Sequence, residues 1–269
     1  MNKNLFYKEM KQNMLSLLLW IAVIVVLIAV TMSMYRTFFE NQSKIMGMMS
    51  IVPKSALQFK GITNINDMVS VLGFYSINNV IYMMLLGSIF SIVLSSNILL
   101  KEEYNKTAEF LLSRPLTRSE IFLSKSSVVF LHIFLLNLAT ALAGFVSLEI
   151  VKNGPVRINA FLILTGYTFL LNLLFGAIGL FMSTLVKRAK PITTFCIGLV
   201  LFFYFILTIS KITPSASALG YISPFKFAST DALNPAYRLE LWHLVYFLGI
   251  STLLTTISYR LYTRKDIYL

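Results

Sequence analysis

Charge is scarce in this 269-residue chain. Asp, Glu, Lys and Arg make up only 13% of it, against 57% hydrophobic residues. A water-soluble domain needs roughly twice that charged share, so part of the surrounding solvent must be lipid. The mean hydropathy of +0.76 agrees. Acidic residues are the scarcer sign, 11 against 23 basic, which leaves a net charge of +12. That excess does not point to nucleic acid. The basic residues sit in short clusters beside apolar runs, the arrangement of membrane topology and contact with anionic lipid. The single cysteine, Cys196, lies inside an apolar run and excludes an internal disulfide or a Cys-rich metal site. The two histidines, His132 and His243, are far apart, each near the end of a run. They read as interface residues or interhelical hydrogen bonders in preference to metal ligands or a proton relay. There is no G-x-x-x-x-G-K-[ST], so the chain has no P-loop for nucleotide phosphates. There is no H-E-x-x-H and no cluster of His, Asp, Glu or Cys at membrane depth. That argues against an intramembrane enzyme and an ion-driven carrier. Glu149 comes nearest, at the outer end of its run. No catalytic residue, metal or cofactor is expected of this chain.

What is abundant is long apolar sequence. A bilayer core of about 30 Å needs roughly 20 apolar residues in a helix, and six runs qualify: Met14–Met34, Val71–Leu100, Ser126–Ile150, Asn159–Val186, Pro191–Ser210 and Leu241–Leu261. The second is long enough to tilt or bend. The expected fold is all-α, a polytopic membrane protein of six transmembrane helices forming one transmembrane domain over residues 1–269. Six spans put both termini on one side. With the termini cytoplasmic, 14 of the 23 Lys and Arg residues fall on short inside segments, "KRAK" at residues 187–190 among them, as the positive-inside rule requires. The first run is too long for a secretory signal, and no A-x-A-like cleavage site follows it.

Four polar or interfacial segments punctuate the runs. "NLFYKEMKQNM" has Phe6, Met10 and Met14 on one helical face, with Lys8, Lys11 and Gln12 opposite. It is expected as an amphipathic helix along the membrane surface before the first span, a merely charged leader being the alternative. The outer segment 36–70 suggests two short helices broken at Pro53. Its Met46, Met48 and Met49 read as flexible apolar filler before soft-metal ligands. The outer segment 211–240, with Pro214, Pro224 and Pro235, reads as a turn-rich cap with one short helix. Asn78, Asn79, Asn97, Asn137 and Asn172 lie within spans and read as helix–helix hydrogen bonders before substrate ligands.

The fourth segment is the most specific. In "EEYNKTAEFLLS", Tyr104, Ala108, Leu111 and Leu112 fall at i, i+4, i+7 and i+8, one apolar stripe. Glu103, Asn105, Lys106 and Glu109 face away. This predicts a short amphipathic helix between the second and third spans. Arg114-Pro115 ends it, because the residue before proline avoids helical geometry. Thr117 and Glu120 then fit a capping box that starts the next helix. Such a projecting helix suits docking into a groove on a partner. Spacing alone equally allows it to lie on the lipid surface.

The pattern Glu102 to Thr107, "FLL", Pro115, Arg118, Ile121 and Lys125 resembles the signature of type-2 ABC exporter permeases, six-span bacterial subunits that pair with a separate ATPase. The outer "IVPKSALQF…GI", followed by "GFY" at the second span, resembles the branch that includes copper-nitrous-oxide-reductase maturation and many Firmicute drug or bacteriocin exporters. The resemblance implies an exporter subunit of a bacterial cell membrane, with both termini cytoplasmic. Its partners would be cytoplasmic ABC ATPase subunits, a second permease copy or paralogue, and the bilayer, with no nucleic acid. ATP would be bound by the ATPase alone. It also implies a coupling segment made by Glu102, Glu103, Lys106, Thr107, Leu111, Leu112, Pro115, Arg118 and Lys125. One position departs: the family commonly has glycine where this chain has Lys106, which resists a tight turn and offers a charge to an acidic patch. The competing reading is a non-transporting membrane scaffold or sensory subunit, which a neighbouring ATPase gene would argue against.

Overall fold

Each of the six apolar runs is a helix in the computed structural model, which describes residues 1–53, 57, 69–104, 116–152, 154, 156–186, 192–228 and 240–264. Among the described residues there is no sheet. Helix α1 spans Lys3–Ser33, α2 Tyr35–Glu40 and α3 Gln42–Ile51. The second span is composite: α4 (Val71–Tyr75), a π-helical turn (Ser76–Val80) and α5 (Ile81–Tyr104). Then come α6 (Arg118–Val151), α7 (Ile158–Leu185) and α8 (Thr193–Ile212). A 3₁₀ segment (Pro214–Ile222), α9 (Pro224–Ala228) and α10 (Leu241–Arg264) complete the order.

The N-terminal stretch corrects one expectation. It is not a separate surface helix that turns before the first span. It is the opening of α1, one unbroken helix of 31 residues, about 46 Å at 1.5 Å per residue. Asn2 caps it, its side chain accepting from the Leu5 amide at 3.1 Å. With no glycine or proline before Ser33 there is nothing to break it. The outer segments fall nearer expectation. Helix α3 stops at Ile51, just ahead of Pro53; the helix expected beyond Pro53 lies outside the described residues. After α8 the chain folds back through the 3₁₀ segment and α9, where the Ser223 hydroxyl donates to the Phe203 carbonyl at 2.7 Å. The Lys226 ammonium sits 3.2 Å from the centre of the Tyr221 ring.

The second and fourth spans form the centre. In the apolar window of the second span 72% of residues are buried, against 17% in the first. Helices α5 and α7 pack on each other, α6 lies against both, α1 covers α6, α10 covers α7, and α8 covers α5. Small residues set the central distance: a Cβ on Gly179 would stand 2.7 Å from the Ile92 carbonyl oxygen of α5, so α7 approaches as only glycine permits. Amides link the same layer. Asn172 of α7 donates to Asn137 of α6 at 3.1 Å and accepts from Ser88 of α5 at 3.2 Å. Asn97 of α5 and Thr193 of α8 exchange bonds of 3.0 and 3.1 Å. Three of the five span asparagines therefore hold helices together.

Candidate functional site

Four charged residues, Glu9, Lys101, Glu102 and Lys125, meet at one end of the bundle, here called the basal end, where the N-terminus, the last turn of α5, the first turns of α6 and the last turns of α10 come together. The Asn2 amide donates to the Ser124 hydroxyl at 2.9 Å, and Ser124 donates back to the Asn2 carbonyl at 3.2 Å. Tyr259 of α10 donates to Ser119 of α6 at 3.0 Å. The start of α6 is shaped by its own sequence. The Glu120 amide donates to the Thr117 hydroxyl at 3.2 Å, and the Thr117 amide to the Glu120 carboxylate at 3.0 Å. This is the capping box that the sequence predicts.

Three helices each bring charge inward. On α1, Glu9 lies on the buried face with Leu5 and Leu17, and its side chain is fully buried. On α5, Ile98, Lys101 and Glu102 follow i, i+3 and i+4, so they share a face. On α6, Ile121, Lys125 and Val128 form the buried stripe, and Lys125 has no exposed surface at all. The Lys125 ammonium donates to the Glu102 carboxylate and, at 2.5 Å, to the Ile98 carbonyl. It stands 3.8 Å from the nearer Glu9 oxygen. Lys101 donates to the other Glu9 oxygen and to Gln12 at 2.8 Å. Two carboxylates and two ammoniums thus close a knot of zero formal charge. That balance is what lets three of the four, Glu9, Glu102 and Lys125, leave water, with Lys101 at the rim: an isolated buried charge would cost several kcal/mol. The knot ties α1, α5 and α6 to one another near the ends of the two spans that residues 105–115 connect in the sequence.

Of the residues that the sequence marks for coupling, Glu102 and Lys125 are brought into direct contact. Glu103 falls in the last turn of α5 and Arg118 opens α6. Lys106, Thr107, Leu111, Leu112 and Pro115 lie outside the described residues. Glu9 and Lys101 are the members that the family pattern did not mark. Glu9 carried a legible signal: it is the only acid before Glu40, four residues after Leu5 on the face that α1 buries. Of the two histidines, only His243 makes the interhelical bond expected of it; His132 is fully buried and bonds its own helix instead. His132, two turns above Lys125, bonds through Nδ1 to the Val128 carbonyl of its own helix at 2.9 Å. His243 joins α10 to α7 through the Tyr167 hydroxyl at 2.9 Å.

Residues 3–267 match the family described as ABC-2 family transporter protein, so the chain belongs to that family over nearly its whole length. No curated protein matches it. Membership makes the chain the membrane permease component of an ABC transporter, a component without a nucleotide-binding domain, and implies partner ATPase subunits. It sets aside the scaffold or sensory alternative.

Proposed function

Taking membership of the ABC-2 permeases as the premise, we propose that this subunit belongs to a bacterial exporter. It is driven by a separate cytoplasmic ATPase through the segment between its second and third spans. The basal end is cytoplasmic, as are both termini, because the inside assignment gathers most of the basic residues there. Two permease copies, or this chain and a paralogue, enclose the pathway. Closure of the ATPases on ATP pushes the amphipathic stretch Glu102 to Ser113, whose apolar contacts are Leu111 and Leu112. Lys106, in place of the usual glycine, meets an acidic patch on the ATPase. Glu103 and Thr107 frame that contact, while Pro115 and the Thr117 cap keep the return limb stiff. Arg118 and Lys125 carry the displacement into α6, and the bundle then opens to one side or the other.

The supporting observation is the Lys125 ammonium, held at once by Glu102 and by the Ile98 carbonyl across the base of that connection. A push on the connection cannot move α5 without α6, and Glu9 adds α1. The test is co-purification with the ATPase. Leu111→Asp with Leu112→Asp is expected to abolish complex formation and coupled ATP turnover. An intact complex with undiminished turnover refutes the docking role.

A further inference from the structure

Between α6, α7 and α10, in the half of the bundle nearer the basal end, lies a groove of about 460 Å³. It is open along one side, and it shares no residue with the ionic knot. Its lining mixes apolar side chains, among them Phe130, Leu173, Ala177 and Leu180, with hydroxyls from Ser126 and Ser127 on α6 and from Ser251, Thr252, Thr255 and Thr256 on α10. No charged side chain is among the described residues that line it.

Ser251 breaks a rule that its neighbours keep. In α10, Thr252, Thr255, Thr256, Ser258 and Thr263 each donate to a carbonyl three or four residues back, Thr252 to Leu248 at 2.6 Å and Thr255 to Ser251 at 2.7 Å. The Ser251 hydroxyl, on a residue only 5% exposed, has no partner among the described residues. A buried hydroxyl left unbonded costs about 1–3 kcal/mol, and Ser251 is one of the residues that line the groove, so a turn of its side chain toward the groove would give it an acceptor there.

We propose that this groove is a lateral binding site for an uncharged, hydroxyl-headed single-chain amphiphile taken from the bilayer. Its head is held by Ser251 and the α10 threonines, and its chain lies along Phe130, Leu173, Ala177 and Leu180. Every lining residue belongs to a membrane span, so the ligand arrives from lipid. An ionised head would find no counter-charge among the described lining residues. The hydroxyl pattern narrows the head further. Ser251 has a proton to give, whereas Thr252, Thr255 and Thr256 have spent theirs and offer lone pairs. A ligand hydroxyl both accepts and donates, and satisfies both kinds. The volume suits one such molecule.

The test uses the full chain in lipid nanodiscs and monooleoylglycerol with a photoactivatable group in its chain. Labelling is expected on the groove faces of α6, α7 and α10, with competition by unmodified monooleoylglycerol and none by the phosphate-headed compound of the same chain. Ser251→Ala is expected to weaken binding about five- to tenfold, one hydrogen bond's worth. It should leave the melting temperature without probe unchanged or raised, because the orphan loses no bond. Ala177→Phe, which fills the groove, is expected to abolish labelling. Unaltered labelling in Ser251→Ala, equal competition by the phosphate-headed compound, or cross-links joining two copies across the groove would each overturn the proposal. No ATPase is needed, so its failure leaves the coupling reading untouched.

Discussion

Replacing Lys125 by Met removes one of four mutually dependent charges and keeps the length of the side chain. Lys125 is completely buried, so water cannot take its place. At the 3.8 Å separation from Glu9, attraction between unit charges is about 4 kcal/mol at an effective dielectric of 20, and about 1 kcal/mol in bulk water. Contact with Glu102 is closer still. The desolvation already borne by the carboxylates stays, while its compensation goes. Removing one member of a buried pair typically costs roughly 3–5 kcal/mol, and that is the expected loss for Lys125→Met. Glu102→Gln should cost less, about 2 kcal/mol, because Lys125 keeps Glu9 and the Ile98 carbonyl. The double variant is the decisive one. It removes a positive and a negative charge together and leaves Glu9 paired with Lys101. Its cost should therefore fall short of the sum of the singles by roughly 2 kcal/mol. The assay is reversible unfolding of the purified chain in mixed micelles by detergent titration. Single losses below about 1 kcal/mol, with additivity within about 0.5 kcal/mol, would show that the charges are solvated independently and that no joint exists.

Further predictions concern packing and capping. Gly179→Ala should disrupt the α5–α7 contact, since the added Cβ meets the Ile92 carbonyl at 2.7 Å, a backbone atom that cannot swing aside. Gly198→Ala on α8 meets nothing within 4 Å and should gain up to about 1 kcal/mol of helix propensity; comparing the two melting temperatures checks both. Thr117→Ala removes the side-chain half of the capping box, leaving the backbone amide of residue 117 to donate to Glu120, and should cost about 1 kcal/mol, with Thr117→Ser restoring most of it. Hydrogen exchange at the first turn of α6 reads that change directly.

The six spans were legible because their signal is local. Twenty apolar residues in lipid must satisfy their backbone internally, and a helix does that without reference to neighbours. The start of α6 was legible for the same reason, as Thr117 and Glu120 lie three residues apart and complete their bonds alone. Helix α1 was misread at its start. Lys8, Lys11 and Gln12 suggested a surface helix, while the side that decided its direction was marked by Glu9, whose partners lie some 90 and 116 residues on. The π-helical turn at Ser76–Val80 had no sequence mark beyond the length of the second run.

The sequence alone settled the solvent, the number of long apolar helices and the capped step before the third span, because each depends on residues within a turn or two of one another. Only the tertiary structure decided which helices are central, that Gly179 lets α7 come close to the α5 backbone, that Ser251 lacks a partner among the described residues, and that Glu9, Lys101, Glu102 and Lys125 close a neutral knot. Burial and ion pairing depend on what faces a residue across space, and in a helical bundle those neighbours come from distant parts of the chain.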